Sequence, residues 1–161
     1  MKQILSAFLI AILFTSQLNA QDYKTGIGFR GGTQSGLTIK HFLSEFNAVE
    51  GIFATRWGGL YSTGLYERIG PYFDVPGFHW YYGLGAHVGF IDGNNNRFED
   101  EENHTLAGVD FIFGLEYKFE NAPVVIGLDW KPQLDLIGDM YYVLDDLAFS
   151  VRYTFSKKPS R

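Results

Sequence analysis

Cysteine is absent from this chain, and its absence excludes several kinds of chemistry at once. The chain can form no disulfide, no thiolate nucleophile and no cysteine-based metal site, and it lacks the cysteine that carries the lipid of a lipoprotein. Clusters of basic residues are also missing from the part expected to fold, and the formal net charge is −5. Nucleic acid is therefore not an expected partner.

A long apolar run is missing as well. Residues 4–14 form an apolar run after Lys2, but this run is shorter than the roughly 20 residues that a spanning helix needs. Polar residues 15–19 follow it, and Leu18-Asn19-Ala20 has the form of a cleavage site. The pattern predicts a signal peptide over residues 1–20 that is cleaved after Ala20, and hence an exported protein.

Helical periodicity is also absent, because apolar spacing near 3.6 residues does not recur after residue 20. Large apolar residues instead alternate with glycines and charges, which is typical of strands. The predicted strands are 24–31, 36–42, 47–57, 60–69, 79–91, 105–119, 123–137 and 146–155. The pattern predicts an all-β, eight-stranded antiparallel up-and-down transmembrane barrel over residues 21–155, with a C-terminal tail at 156–161.

The two faces of these strands differ in bulk. An eight-stranded barrel has an interior just wide enough to be filled by side chains, so the many large apolar residues are predicted to face outward into lipid. This assignment places Tyr61 and Leu65 outside and Ile52, Leu60 and Tyr66 inside, and it predicts a bulge in strands three and four. Aromatic residues near strand ends are predicted to form interfacial girdles: Trp57, Trp80, Tyr82, Tyr117, Phe119, Tyr153 and Phe155.

The inward face carries five charges of each sign. Unpaired charges in a narrow interior are strongly unfavourable, so the balance predicts mutual pairing and a filled ionic lumen. Asp129, Lys131 and Arg152 are the first cluster expected, whereas Glu67 and Lys118 are placed at the hydrated rim. A narrow conductive path and a small-ligand pocket are the functional alternatives. The predicted lumen network is Arg30, Lys40, Glu50, Arg56, Asp110, Glu116, Asp129, Lys131, Asp135 and Arg152.

No catalytic, cofactor or metal site is predicted. The acidic loop that starts at Asp92 fails the EF-hand pattern, because Arg97 stands at position six and Asn103 at position twelve. The histidines on strand five, His79 and His87, are eight residues apart and cannot share one ion. Ser62, His79 and His104 supply residue types used in hydrolysis, but they form no recognisable motif.

The closing strand, Leu147-Ala148-Phe149-Ser150-Val151-Arg152-Tyr153-Thr154-Phe155, resembles the terminal signal of outer-membrane barrels. The resemblance implies that the barrel-assembly machinery reads this strand up to Phe155. Segments 26–32, 80–90 and 127–132 are similar to those of small, largely uncharacterised outer-membrane barrels, and the broader likeness to OmpX-, OmpA- and OmpW-type domains covers residues 24–155.

This likeness implies a porin-like, eight-stranded barrel in the outer membrane of a Gram-negative bacterium, with outer-membrane lipid around it. Both termini lie in the periplasm, and no cofactor or catalytic residue is implied. Pro132 departs from an ideal strand and predicts a bulge or bend.

The expected role is structural or surface-interacting, without catalysis, and a surface partner is expected at the polar loop 92–104. Two alternatives remain open. One is a binder or transporter of small apolar compounds, through a lateral opening at strands three and four. The other is a soluble secreted lipocalin-like carrier, which requires the apolar face to lie inside.

Overall fold

The computed structural model describes residues 23–70, 75–91, 104–138 and 140–155. The predicted signal peptide 1–20, its cleavage after Ala20, most of the loop 92–104 and the tail 156–161 lie outside the described residues. Within the described ranges, the chain forms no helix of the length and apolarity needed to cross a membrane.

Ten strand segments account for the regular structure of the described residues. They are β1 Thr25–Gly32, β2 Ser35–Ser44, β3 Asn47–Arg56, β4 Gly59–Ile69, β5 Phe78–Ile91, β6 His104–Lys118, β7 Val124–Trp130, β8 Gln133–Ile137, β9 Tyr141–Val143 and β10 Leu147–Phe155.

These segments form a closed barrel of eight strands. Neighbouring strands pair in antiparallel order from β1 to β6, and β6 pairs with both β7 and β8. β7 and β8 together make the seventh strand, and β9 and β10 make the eighth. The sheet closes where β1 pairs with β10, from Thr25 opposite Phe155 to Gly32 opposite Ala148. The predicted fold class is confirmed.

Pro132 interrupts the seventh strand without shifting it. Trp130 lies opposite Phe113 and Gln133 lies opposite Asp110, which is one continuous register across the proline. The interruption follows from the missing N–H of proline, which removes one ladder hydrogen bond. The register shift occurs further along, between Ala107 and Gly108 on β6, so the prediction of a bulge at Pro132 itself is wrong.

The fourth strand faces the opposite way from the prediction. Trp57 and Gly58 have positive φ values of 52° and 75°, as the two central residues of a tight hairpin turn do. This two-residue turn sets Arg56 directly opposite Gly59. Because directly opposed residues share a face, and Arg56 points inward, Gly59 also points inward.

Every side chain of β4 therefore lies on the face opposite to the predicted one, since a shift by one residue exchanges the two faces of a strand. Tyr61 and Leu65 are buried, whereas Leu60 and Tyr66 are exposed. Ile52 on β3 is buried, as expected. The β3–β4 ladder is unbroken from Asn47 opposite Arg68 to Arg56 opposite Gly59, so the bulge predicted there is absent.

The outer wall of the barrel carries large apolar side chains. Phe29 is 72% exposed and Leu84 is 68% exposed, and large apolar side chains are exposed on every barrel strand. Aromatic pairs lie toward the end that holds the termini, with ring centroids 5.0 Å apart for Tyr117–Phe119 and 5.1 Å for Tyr153–Phe155. The polarity of the barrel is therefore inverted relative to a water-soluble protein.

The interior is not purely ionic. Apolar residues also fill it, among them Ile52, Leu65 and Ile112. An inward glycine makes room for a large ring, because a Cβ at Gly114 would lie 2.4 Å from the Tyr81 ring. The glycines on the inner face thus allow aromatic side chains to enter a narrow barrel.

We expect Gly58→Ala to destabilise the barrel by about 1–2 kcal/mol, because alanine is strained at a positive φ. The matched control is Gly64→Ala on the outer face of β4, where a Cβ would meet nothing within 4 Å. Urea unfolding of both variants in detergent micelles would test this. Equal unfolding midpoints for the two variants would contradict the assigned turn.

Candidate functional site

The ten charged residues predicted for the lumen all lie inside the barrel. Each of them is at most 7% exposed, with Arg56 the most accessible. Alternation along the strands directs them inward from β1, β2, β3, β6, β7, β8 and β10 and from the Lys131 link between β7 and β8. Nine of them fall into two clusters, and Arg56 stands at the rim, where its partner Asp145 is not one of the ten.

The proximal cluster lies in the half of the barrel that holds the termini. Its charged members are Lys40, Glu50, Glu67, Glu116 and Arg152.

Glu116 is the centre of the proximal cluster. Its carboxylate oxygens lie 2.9 Å from Arg152 Nη1 and 3.2 Å from Lys40 Nζ. The Tyr23 hydroxyl donates to the same carboxylate at 2.5 Å, and His79 Nε2 lies 3.2 Å from it. A buried carboxylate with this many partners is well compensated for its lost hydration.

The two cations of the proximal cluster each bridge two acids. Arg152 Nη2 donates to Glu50 at 3.0 Å while Nη1 bonds to Glu116, and Thr38 donates to the same Glu50 oxygen. Lys40 Nζ lies 2.7 Å from Glu67 and sits 3.5 Å from the centroid of the Tyr81 ring. The ring face adds a cation–π attraction to the ion pairs.

The distal cluster lies in the other half of the barrel. Its members are Arg30, His87, Asp110, Asp129, Lys131, Gln133, Asp135 and Asp146.

Two cations join the aspartates of the distal cluster. Arg30 bonds to Asp129 at 2.6 Å and to Asp146 at 3.2 Å. Lys131 Nζ lies 3.1 Å from Asp110 and 3.2 Å from Asp146. Asp146 therefore links Arg30 to Lys131. Through these contacts the first, sixth, seventh and eighth strands of the barrel are joined.

His87 is held between two acids. Its Nδ1 lies 2.8 Å from Asp110 and its Nε2 lies 2.8 Å from Asp135. Acceptors on both ring nitrogens match the doubly protonated imidazolium, which donates from both. Gln133 extends the cluster, because its amide donates to Asp110 at 3.0 Å and its oxygen accepts from Gln34 at 2.8 Å.

The three residues expected to form the first cluster have different partners. Asp129 pairs with Arg30, and Lys131 pairs with Asp110 and Asp146. Arg152 pairs with Glu50 and Glu116 in the other half of the barrel. Asp129 and Lys131 therefore belong to one cluster, as predicted, but the prediction is wrong for Arg152, because proximity across the lumen depends on depth as well as on parity.

Arg56 belongs to the rim at the end opposite the termini. Its Nη2 lies 2.8 Å from Asp145 Oδ1, and its guanidinium carbon lies 3.8 Å from the centroid of the Trp57 ring. The Asp145 side chain is 70% exposed. The hydrogen bond from Arg56 holds the pKa of that carboxyl below its usual value.

Two buried carboxylates of the network, Glu67 and Asp146, escaped the sequence reasoning, which also assigned neither His79 nor His87 to the network. Glu67 was expected at a hydrated rim, yet it is fully buried because β4 faces the opposite way. The short Trp57-Gly58 turn is the signal that could have revealed this. Asp146 has the inward parity of the predicted strand 146–155 but was not assigned to the network, and the structure places it, buried, in the break between β9 and β10.

The arrangement suits charge pairing better than chemistry on a substrate. Among the described residues, no group of three or more histidine, aspartate and glutamate side chains is placed to hold a metal ion. Ser62 lies on the outward parity of β4, whereas His79 is buried on the inward side of β5. Lys118 lies near the other rim, where it donates to the carbonyls of Phe119 and Ala122 at 2.6 and 2.8 Å.

Comparison with known proteins adds one fold neighbour. No family model matches the chain, and no curated protein matches its sequence. The crystal structure of the N-terminal β-barrel domain of Pseudomonas aeruginosa OprF is similar, with a TM-score of 0.62 and 14% sequence identity. The similarity covers 81% of this chain and 95% of that one. At this identity it shows a shared barrel fold.

We expect Arg152→Leu to lower the free energy of unfolding by about 3–5 kcal/mol, because Glu50 and Glu116 lose a shared buried partner. The matched control is Arg56→Leu, whose partner Asp145 is exposed, and there the loss should be about 1 kcal/mol or less. Urea unfolding in the same detergent measures both. Similar losses for the two arginines would show that the buried network is not what stabilises the interior.

Proposed function

We propose that the protein is an integral outer-membrane β-barrel of a Gram-negative bacterium, with a closed lumen and a structural or surface-interaction role. The observation that carries this proposal is the inverted polarity of the barrel wall. Charged side chains face inward and pair, while exposed apolar side chains cover the outer wall on every strand. Such a band is an aggregation surface in water and suits a lipid environment.

The interior supports a closed barrel rather than a solute path. Ion pairs join strands that are not neighbours in both halves, as from Arg152 on β10 to Glu50 on β3 and from Arg30 on β1 to Asp129 on β7. Buried tyrosines and isoleucines fill the remaining space. An eight-stranded barrel leaves little more room than this.

The orientation follows from the fold. β1 begins and β10 ends at the same edge of the barrel, and in outer-membrane barrels the longer loops are extracellular, which favours a periplasmic position for the edge that holds the termini. The long connection between β5 and β6, residues 92–103, which is rich in acidic residues, is then on the side of the cell surface. It is the segment proposed to meet a surface partner, and the strand that ends at Phe155 is the segment proposed to engage the assembly machinery.

The alternatives fit the barrel less well. A lipocalin-like carrier needs its apolar residues inside, whereas Phe29, Leu84 and their counterparts point outward. Passage of apolar compounds between strands three and four would need a gap there, and the β3–β4 ladder is continuous. No contact among the described residues suggests catalysis.

Membrane fractionation of expressing cells tests the location. We expect the full chain in the outer-membrane fraction, with faster gel migration before boiling than after it, because a folded barrel resists detergent until it is heated. Protein in the soluble periplasmic fraction without a mobility shift would contradict the proposal. Arg152→Leu serves as an internal check, since it should migrate with the membrane fraction but lose its shift at a lower temperature.

Epitope accessibility tests the orientation. We expect an epitope inserted between Asn94 and Asn95 to bind antibody on intact cells. The same epitope placed after Arg161 should bind antibody only after the outer membrane is permeabilised. The reverse pattern would overturn the assignment of the long loop to the cell surface, although it would leave the barrel in the membrane.

A further inference from the structure

A groove of about 360 Å³ lies on the outer wall of the barrel, in the half away from the termini. It crosses four neighbouring segments, with Leu84 on β5, Val109 and Phe111 on β6, Leu134 on β8 and Tyr142 on β9. Leu84 is directly opposite Phe111, and Val109 is directly opposite Leu134. The walls are therefore built from side chains that stand next to one another on the lipid-facing surface.

The groove exists because two strands are interrupted at the same height. Pro132 breaks the seventh strand and stands on the same face as Leu134, where its short ring leaves a depression. The backbone there is fixed, because Phe111 N donates to Pro132 O at 3.0 Å. The eighth strand is interrupted beside it, between β9 and β10.

The wall of the groove that follows β9 is held by a specific hydrogen bond. Trp130 Nε1 donates to the carbonyl oxygen of Leu144 at 2.7 Å. This bond fixes the residues between β9 and β10, and the exposed Leu144 side chain lines the groove together with Phe111 and Leu84. The shape of the groove is therefore set by these two hydrogen bonds, which hold the backbone of its walls in place.

We propose that this groove binds one acyl chain of a membrane lipid, in the leaflet at the end of the barrel opposite the termini. The inference rests on the membrane location proposed above. Its volume is within the range of small-molecule sites, roughly 300–1,000 Å³, and the groove is continuous with the apolar belt through Leu84 and Leu144. Water gains few hydrogen bonds from walls of this kind, so an apolar occupant is favoured.

Charge selects a bilayer lipid over a free fatty acid. Among the described residues that line the groove, Asp110 carries the only charge. Its carboxylate is directed into the lumen, where it contacts Lys131 at 3.1 Å and His87 at 2.8 Å. The groove therefore offers no cation to a fatty-acid carboxylate, whereas a bilayer lipid leaves its headgroup outside in the interface.

Photolabelling tests the proposal on the full mature chain inserted into phosphatidylcholine vesicles. The probe is a phosphatidylcholine that carries a diazirine in the middle of one acyl chain, and labelled peptides are mapped by mass spectrometry. We expect labelling of residues 107–111 and 132–144 to exceed that of the lipid-facing residues 147–153 severalfold. Even labelling around the belt would mean ordinary surrounding lipid and would overturn the proposal.

Matched substitutions separate the groove from the belt. Val109→Trp fills the groove and should reduce its labelling to the level of the belt. Val151→Trp is the control, because Val109 and Val151 are both outward-facing, at 46% and 43% exposure. If Val109→Trp fails to fold, Leu144→Ala removes one wall and is compared with Leu147→Ala, again by groove labelling. Unchanged groove labelling in the groove variant would overturn the site.

Two further outcomes are informative. Diazirine-labelled palmitate is used in a parallel arm, and groove labelling by palmitate but not by the phospholipid would overturn the choice of a bilayer lipid. A groove left unlabelled within a labelled belt would mean that another protein segment covers it, which would also overturn the proposal. Absence of labelling from the whole barrel, together with no heat-dependent gel shift, would instead contradict the membrane location itself.

Discussion

A charge that points into an eight-stranded barrel must find a partner there, because the space is too narrow to hydrate it. This constraint organises the interior of the protein. Glu116 gathers Arg152, Lys40 and the Tyr23 hydroxyl, and Asp146 joins Arg30 to Lys131. The contacts of Glu116 on β6 with Arg152 on β10 and Lys40 on β2 connect strands that are not neighbours in the sheet, whereas those of Asp146 tie neighbouring strands together.

The same constraint gives the hairpin turns their importance. The two-residue turn at Trp57-Gly58 decides that Glu67 points inward, where it pairs with Lys40 at 2.7 Å. A turn longer by one residue would direct Glu67 and Tyr61 to the outer wall and would bring Leu60 and Tyr66 inside. One backbone conformation at the rim therefore determines both the charge balance of the proximal cluster and the polarity of a whole strand.

The outer wall and the interior support the same conclusion about function. Ion pairs and buried tyrosines occupy the lumen, so a role that depends on passage through the barrel is disfavoured. What remains accessible is the apolar belt, the groove beside Pro132 and the loops at the rim. These are the surfaces that the structural or surface-interaction role proposed above would use.

Alternation in the sequence was enough to determine the strand order, the closed barrel and the inward set of ten charges, because parity in a strand depends on local spacing alone. Tertiary structure decided the rest. Which charges meet depends on depth, so Arg152 lies in a different cluster from Asp129 and Lys131 although all three share a face. The face on which each β4 side chain lies depended on a turn. The groove beside Pro132 depended on two strand interruptions that lie side by side only in the folded sheet.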